Sequence, residues 1–346
     1  MNALAEALRL AVLEQDFAAT PDSWQGGRAR GLMPSIDLAL VRFRPGLAPA
    51  WTNVLFSREH PQGVIADIGE QGGSPRNIRF DQDQRNAALD SPAWLPGADW
   101  SLLRWQHLHG DGEHRFIAPY PASLLKLMVA VGLGLAVDIG RTCWPDALEP
   151  MIVVSDNEAT EACVALLHRC GMVDALNRRL QALGLHTLRL AGTQPGGGWR
   201  NADGAGVGVI HMTAWDTVRL LWLLDAEAPP PPWLPAGTTL LQAVTRDHLR
   251  AVLARQRLDE VLSSGALHGV PGWVAGLPDA PAFAHKTGTT DTYASDAGIV
   301  QTETAHCIVA LLSTLGRRGA PHPRCATTWR LPALGAAVQR IVQELP

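Results

Sequence analysis

The chain has 346 residues, of which 47% are hydrophobic and 18% charged, and its formal net charge is −4. This hydrophobic share excludes a globally disordered protein, and the slight negative charge gives no electrostatic reason to expect a nucleic-acid partner. No uninterrupted apolar run approaches the ~18 residues that a membrane helix needs.

The N-terminal segment predicts an amphipathic helix at 4–13, because its apolar residues recur at helical spacing. Charged residues such as Glu6 and Arg9 interrupt the apolar stretch that an export signal requires. The five cysteines contain no C-x-x-C pair and are typical of reduced, buried thiols. They are Cys143, Cys163, Cys170, Cys307 and Cys325. We therefore expect a cytoplasmic protein.

The following elements alternate between strand and helix patterns. Segments 35–43 and 50–56 are strand-like, and 62–100 is rich in Gly, Pro, Asp and Asn and is expected to be irregular. Segments 100–107 and 115–118 flank turn residues and predict a β-hairpin. Helices are predicted at 123–137, 156–170, 173–183, 213–224 and 247–262, three strands at 282–289, 294–301 and 305–315, and a closing helix at 331–345.

This order predicts an α+β fold. An antiparallel sheet would combine the early hairpin with the last three strands, terminal helices would cover one face, and an all-helical lobe would span about 123–265. Residues 1–98 would form an extension packed on or near the sheet, ahead of a main domain at 99–346. The junction of lobe and sheet is a natural place for a cleft.

Lysine is scarce in this chain. Lysines and arginines together number 29, and only Lys126 and Lys286 are lysines. Arginine stays protonated in proteins, whereas a desolvated lysine can lose its proton and act as a base. The two lysines therefore mark positions where arginine would fail.

The first lysine closes a Ser123-x-x-Lys126 pattern at a predicted helix start. Positions i and i+3 lie on one helix face, so Lys126 can reach the Ser123 hydroxyl. Free backbone N–H groups at a helix start can hold an oxyanion. The apolar residues at 127–131 indicate a buried helix, where desolvation would make Lys126 a base for the serine. The structural alternative is a helix start with a surface lysine.

A second motif, Ser155-Asp156-Asn157, also precedes a predicted helix. The structural alternative is an N-cap, because all three residue types favour helix starts. In the functional interpretation Ser155 relays a proton and the Asn157 amide clamps a substrate, which is compatible with capping by Asp156.

A third motif, Lys286-Thr287-Gly288-Thr289, lies on a predicted strand. Gly288 permits close approach of a ligand, which could pair with the backbone as an added strand. Lys286 would attract a substrate carboxylate and lower the pKa of Lys126 by repulsion. The structural alternative is an edge strand protected by a lysine.

In this order the motifs S-x-x-K, S-D-N and K-T-G resemble those of class A β-lactamase-like serine hydrolases and penicillin-binding proteins. The resemblance spans about 100–346 and includes Phe116-x-x-Pro119 before the serine and Ser295-Asp296 after the third motif. It implies a serine hydrolase that forms an acyl-enzyme with an amide, β-lactam or ester. The implied substrate is a small molecule or short peptide with a carboxylate. Independently of the resemblance, we expect no nucleic-acid, membrane, metal or cofactor partner.

The resemblance also implies a role for each motif residue. Ser123 would be the acylated nucleophile and Lys126 its base, and Ser155 would deliver a proton to the leaving nitrogen. Asn157 would orient the substrate.

The strand motif would bind the substrate. Lys286 and Thr287 would hold its carboxylate beside Gly288, and the backbone N–H groups of Ser123 and Thr289 would form the oxyanion hole.

One departure concerns deacylation. Hydrolytic members of the family carry a glutamate, usually before proline, in a loop after the S-D-N helix, and Gln194-Pro195 matches that position here. A neutral amide cannot be a general base, so the acyl-enzyme would be long-lived unless Asp203 or His211 serves. Alternatively, the alignment is off by a few positions and Gln194 is an ordinary loop residue.

Other functions remain open. The pattern His107-x-His109-x-Asp111-x-x-His114 is similar to a zinc-hydrolase signature, although its last histidine falls too late. An acyl-enzyme could also serve a cell-wall peptidase, or an intracellular esterase or acyltransferase in small-molecule biosynthesis. A non-catalytic binding protein of the same fold is the further alternative.

Overall fold

A six-stranded antiparallel sheet organises the fold. The computed structural model describes residues 3–83, 91–199, 209–265, 267–273, 282–302, 305–320 and 322–345. The strands are β1 Pro21–Asp22, β2 Arg28–Ala29, β3 Ile36–Phe43, β4 Ala50–Phe56, β5 Val64–Ile65, β6 Ile78–Gln82, β7 Gln106–His109, β8 His114–Ala118, β9 Ala282–Thr289, β10 Ala294–Gln301 and β11 His306–Ser313. In the large sheet their order is β5-β4-β3-β11-β10-β9.

Eight helices occur in the described residues. They are α1 Ala3–Leu13, α2 Lys126–Asp138, α3 Leu148–Val153, α4 Asn157–Arg169, α5 Met172–Ala182, α6 Ala214–Trp222, α7 Ala243–Leu253 and α8 Arg330–Glu344. In the part of the chain that is described, none is long and apolar enough to cross a membrane.

The sheet is completed by β3 and β4 instead of the hairpin that we predicted at 100–118. β11 pairs with β3 from His306↔Phe43 to Ser313↔Ile36. The hairpin prediction is wrong because β6 inserts between β7 and β8 and pairs in parallel with β8, forming a separate sheet. The sequence Ile78-Arg79-Phe80 alternates apolar and polar residues, but it lies within the segment expected to be irregular. The large sheet therefore crosses position 98, the predicted domain boundary.

The terminal helices cover one face of the large sheet. Leu8 and Val12 of α1 and Val338 of α8 belong to one buried apolar cluster with strand residues such as Leu38 and Val309. The opposite face packs against α6 and joins the core of the helical lobe. The predicted α+β fold, with an antiparallel sheet and terminal helices over one face, is confirmed.

Two helix predictions need correction. α7 ends at Leu253, not 262, and the Gln256 side chain then accepts hydrogen bonds from the backbone N–H groups of Arg257 and Leu258 (3.0 and 2.9 Å). Those amides are therefore satisfied outside a helix. The short helix α3 was not predicted, and it leads directly into the Ser155 motif.

Candidate active site

The three motifs come together where the start of α2, the start of α4 and strand β9 meet. Ser123 lies in a 3₁₀ turn at Ala122–Leu125 immediately before α2, and the Lys126 backbone N–H donates to the Ser123 carbonyl. Side chains three positions apart eclipse each other in such a turn. Ser123 is partly exposed, whereas the Lys126 side chain is fully buried.

Gly288 allows β9 to lie directly against this turn. A Cβ atom at Gly288 would come within 2.6 Å of the Pro121 oxygen and 2.7 Å of the Leu124 nitrogen. From the neighbouring strand, the Ser295 hydroxyl donates to the Pro121 oxygen at 2.6 Å. The glycine of the third motif is therefore required for packing, and it brings the strand edge to the turn that carries Ser123.

The backbone is left-handed at two non-glycine residues beside the site. Ala122 has φ 51° and Ser155 has φ 57°. Such conformations cost on the order of 1–3 kcal/mol each and persist where surrounding structure imposes them. At Ser155 the conformation presents both the carbonyl and the hydroxyl to Lys126, whose Nζ lies 2.6 and 3.0 Å from them. Asp156 caps α4 by accepting from the Ala159 N–H at 2.7 Å, so capping and site geometry coexist.

Two buried ammonium groups converge on the Ser155 hydroxyl. Its Oγ lies 3.0 Å from Lys126 Nζ and 3.1 Å from Lys286 Nζ. Lys126 also donates to the Asn157 side-chain oxygen at 3.0 Å, and Lys286 to the Thr287 carbonyl at 2.7 Å. A serine hydroxyl offers one donor and two acceptor positions. If one lysine is neutral, Ser155 can therefore accept a hydrogen bond from one amine and donate to the other.

Burial sets the protonation of these lysines. It lowers the pKa of Lys126 to about 7, although the nearby Asp156 carboxylate opposes this shift. Burial and repulsion by Lys126 lower the pKa of Lys286 well below its usual value, against the attraction of Asp296 and Glu260. The pair therefore cannot hold two full charges easily at neutral pH, and a neutral amine is available beside Ser155.

Glu260 is a site residue that sequence reasoning missed. The Thr289 hydroxyl donates to Glu260 Oε1 at 3.1 Å, and the Glu260 charge raises the pKa of Lys286. We predicted a helix that extends to 262, and Glu260 was therefore not recognised as a site residue. In the structure it follows α7 in an irregular segment. A carboxylate thus lies beside the lysine that we predicted to bind a substrate carboxylate.

A buried histidine anchors this side of the site. His285 Nδ1 and Nε2 lie 2.8 Å from carboxylate oxygens of Asp296 and Asp259, respectively. Burial alone would lower the pKa of His285, but the two carboxylates raise it to about 8. Asp296 also accepts from the Leu262 N–H at 3.1 Å, so the network ties β9 and β10 to the segment that carries Glu260.

The predicted deacylation loop approaches the site at Trp199. The indole ring of Trp199 is buried and its centroid lies 5.8 Å from Lys126 Nζ. The loop runs along α4, with the Thr193 hydroxyl 2.9 Å from His168 Nε2 and Gly197 packed against the Glu161 backbone.

Gln194 precedes Trp199 in the same loop. It is exposed, and its backbone N–H donates to the Gly198 carbonyl at 2.7 Å. Its alignment with the family glutamate stays a prediction. Asp203 lies outside the described residues. His211 is buried, exchanges two 3.0 Å backbone hydrogen bonds with Arg189, and has its pKa lowered to about 4 by burial and by Arg189.

The histidines of the zinc-like pattern at 107–114 have separate partners in the structure. His107 Nε2 lies 2.7 Å from the Gly110 carbonyl oxygen, and His109 stacks on His186 at 5.0 Å. Among the described residues, no three His, Cys, Asp or Glu side chains form a metal-binding group.

Comparison with solved structures relates this architecture to β-lactamases. A β-lactamase from Sphaerobacter thermophilus matches with a TM-score of 0.54 at 14% identity, covering 99% of this chain and 98% of that one. A mutant of PBP-A, solved as an acyl-enzyme complex with penicillin G, matches at 0.53 and 18% identity, covering 99% and 95%. The extended-spectrum β-lactamase TLA-3 matches at 0.50 and 13% identity, covering 98% of each chain. At these identities the likeness shows the fold.

The sequence assigns the family. The model of the beta-lactamase enzyme family matches residues 138–328, more than half of the chain, and the chain therefore belongs to this family. The matched segment contains the Ser155 and Lys286 motifs, whereas Ser123 and Lys126 precede it. No curated protein sequence matches the chain.

Proposed function

We propose that the protein is a serine hydrolase that is acylated on Ser123 by an amide, β-lactam or ester substrate. The observation that carries this proposal is the convergence of Lys126 and Lys286 on the Ser155 hydroxyl. A structural site has no need for two desolvated ammonium groups around one hydroxyl, since burying them is costly. A non-catalytic binding protein of the same fold therefore fits the geometry less well.

Acylation would use the neutral form of Lys126. The amine takes the proton from Ser123 as its oxygen bonds to the substrate carbonyl carbon, and the backbone N–H groups of Ser123 and Thr289 stabilise the oxyanion. Ser155, hydrogen-bonded to Lys126, then donates its proton to the leaving nitrogen or oxygen and regains one from Lys126. Lys286, 3.1 Å from the same Ser155 Oγ, would attract a substrate carboxylate in its protonated form.

Deacylation would be slow. The loop segment 191–199, which borders α4 and reaches Lys126 at Trp199, contains no Asp or Glu. General-base action is worth roughly 10²–10⁴-fold, so an acyl-enzyme without such a base is long-lived. A long-lived acyl-enzyme also permits transfer of the acyl group to an amine or alcohol, which is the second candidate activity.

Intact-protein mass spectrometry with a penicillin tests the proposal. We expect a mass increase equal to one penicillin that persists for minutes or longer. Ser123→Ala should abolish the adduct, while Ser101→Ala, a change at an exposed serine, should leave it intact. An adduct that survives in Ser123→Ala would assign another nucleophile. No adduct with penicillins, cephalosporins or active-serine probes would contradict acyl-enzyme formation.

The deacylation step has a separate test. Gln194 is exposed, and in the described part of its loop it is Trp199 that lies over Lys126, so Gln194→Glu should change the adduct lifetime by less than about twofold. A lifetime shortened by roughly 10²-fold or more would show that Gln194 does occupy the base position.

A further inference from the structure

A cavity lies away from the three motifs, between the N-terminal segments and the end of β11. The empty space between its walls, together with the part open to solvent, is about 610 Å³. We name it the arginine pocket and define it by Asp22, Arg30, Arg58, Trp94, Trp100 and Arg318, which line it. None of these residues belongs to the predicted catalytic motifs, and nothing in the proposed reaction uses them.

Two guanidinium groups in this pocket are buried without full hydrogen bonding. The side chains of Arg30 and Arg318 are 8% and 5% exposed. Nε and Nη2 of Arg30, and Nε and Nη1 of Arg318, are buried and have no hydrogen-bond partner in the described part of the chain. Buried unsatisfied donors are rare in native proteins, and those of a charged group are the most costly to leave unpaired.

The lining of the pocket holds fewer carboxylates than arginines. Asp22 is the one carboxylate among the described lining residues; it lies 3.8 Å from Arg30 Nε and 3.5 Å from Arg318 Nε. Its other oxygen accepts from the Trp24 N–H at 3.0 Å. Two further carboxylates lie outside the lining. Asp291 attracts the Arg318 charge, and Asp99 attracts the Arg58 charge.

The remaining guanidinium contacts are neutral. Arg30 Nη1 donates to the Thr314 carbonyl at 2.9 Å, Arg318 stacks over Trp24 at 4.6 Å, and Arg58 donates to the Ala98 carbonyl at 2.8 Å. The described lining therefore holds three arginines and one carboxylate, and this excess of positive charge at the wall is what an anion in the pocket would neutralise.

The rest of the wall is apolar. Trp94 and Trp100 pack edge to face at 5.4 Å, and Leu32, Leu95 and Pro96 extend the surface beside them. Pockets with an apolar wall and a few convergent polar groups are typical of small-molecule sites. A plain inorganic anion would use the arginines but leave this wall unused.

We propose that the arginine pocket binds a small organic carboxylate with an apolar body. The carboxylate pairs with the guanidinium groups that line the pocket, and the body packs on Trp94 and Trp100.

The pocket is connected to the catalytic region. Trp94 Nε1 donates to Asp83 Oδ2 at 2.6 Å, and the Tyr293 hydroxyl donates to the same oxygen at 2.5 Å. Tyr293 packs edge to face on Tyr120, three residues before Ser123. A ligand held against Trp94 therefore contacts a chain of side chains that ends beside the turn at Ala122–Leu125.

Isothermal titration calorimetry of the full chain with benzoate tests this proposal. Benzamide serves as the neutral control of the same shape, and inorganic phosphate as the anion without an apolar body. We expect benzoate to bind at least 10-fold more tightly than either. Arg318→Gln should weaken benzoate binding at least 10-fold, whereas Thr287→Val, which alters the predicted catalytic carboxylate clamp, should not change it.

Other outcomes overturn the proposal. If Thr287→Val removes binding and Arg318→Gln does not, benzoate occupies the catalytic site. If phosphate binds as tightly as benzoate, the pocket does not select an apolar body, and if benzoate does not bind, there is no such site.

A second variant avoids loss of a buried arginine. Leu32 lines the pocket and is 51% exposed, so Leu32→Glu would supply a tethered carboxylate. We expect a higher melting temperature and loss of benzoate binding. Val244→Glu, at an 83% exposed position on α7, should do neither. An unchanged melting temperature together with unchanged benzoate binding in Leu32→Glu would contradict the proposal.

Discussion

The protein buries two pairs of cations, and the pairs differ in the residue type used. In the candidate active site, Lys126 and Lys286 share the Ser155 hydroxyl, and both side chains are fully buried. In the arginine pocket, Arg30 and Arg318 share the Asp22 carboxylate and are nearly as buried. The two regions therefore face the same electrostatic problem, which is repulsion between like charges in a medium that solvates them poorly.

The residue type determines how the repulsion is relieved. Burial lowers the pKa of Lys126 to about 7, so a lysine pair can lose a proton near neutral pH. Burial and repulsion by Arg318 lower the pKa of Arg30 only to about 10, and Arg30 stays charged. An arginine pair is relieved by an anion instead. The lysine pair thus favours proton transfer, and the arginine pair favours ligand binding.

The largest expected effect comes from making the lysine pair resemble the arginine pair. In Lys126→Arg the amine that accepts the Ser123 proton is replaced by a group that stays protonated, so the acylation rate should fall by roughly 10²–10⁴-fold. The measurement is the rate of penicillin adduct formation. Arg255→Lys, at an exposed ion pair with Glu149, is the control and should keep the wild-type rate. Acylation of Lys126→Arg within fivefold of wild type would mean that another group is the base.

The pH dependence of acylation is the next effect in size. Because the pKa of Lys126 is lowered to about 7 and its neutral form is the reactive one, the acylation rate should rise with pH and level off above about 7. Below that value the rate should change about tenfold per pH unit, since one proton must leave. Stopped-flow measurement with a chromogenic cephalosporin would give the profile. A rate that is flat from pH 5 to pH 8 would exclude Lys126 as the titrating base.

The reverse substitution, at the arginine pair, sharpens the comparison. Arg318→Lys keeps a cation in the pocket but allows it to lose its proton on burial. Benzoate binding should then weaken, about tenfold in total, as pH rises through the lowered pKa of the new lysine, whereas wild-type binding should stay constant from pH 6 to pH 9. Calorimetry at several pH values measures both. Equal pH profiles for the two proteins would show that a buried lysine in this pocket stays charged as arginine does, and that residue type does not explain the difference between the two cation pairs.

The sequence predicted much of the fold because its signals are local. Strands β9 and β10 occupy the predicted residues, since short alternating or apolar runs between turn residues specify them without distant partners. The insertion of β6 between β7 and β8 was missed, because parallel pairing between residues 36 positions apart leaves no trace in the periodicity of either strand.

Prediction of the candidate site had the same limit. Motif spacing suggested that Lys126, Ser155 and Lys286 meet, and the structure brings them within hydrogen-bond distance of one another through Ser155. The contacts of Trp199 and Glu260 depend on how a loop lies along α4 and on where α7 ends. Neither follows from residue type or spacing, so these residues became visible only in three dimensions.

The smallest expected effect concerns Glu260, which gives the lysine pair a carboxylate neighbour just as Asp22 does for the arginine pair. Glu260→Gln would remove a negative charge beside Lys286 and Thr289, so a substrate carboxylate should bind more tightly, lowering KM roughly three- to fivefold with kcat unchanged. Steady-state kinetics with a carboxylate substrate measure this, and Glu149→Gln at an exposed ion pair is the control. If the acyl-enzyme lifetime instead lengthens by ~10²-fold or more, Glu260 is the base that activates the deacylating water. The variant therefore decides whether Glu260 affects only the binding of a substrate carboxylate at Lys286 or also activates the water that releases the acyl group.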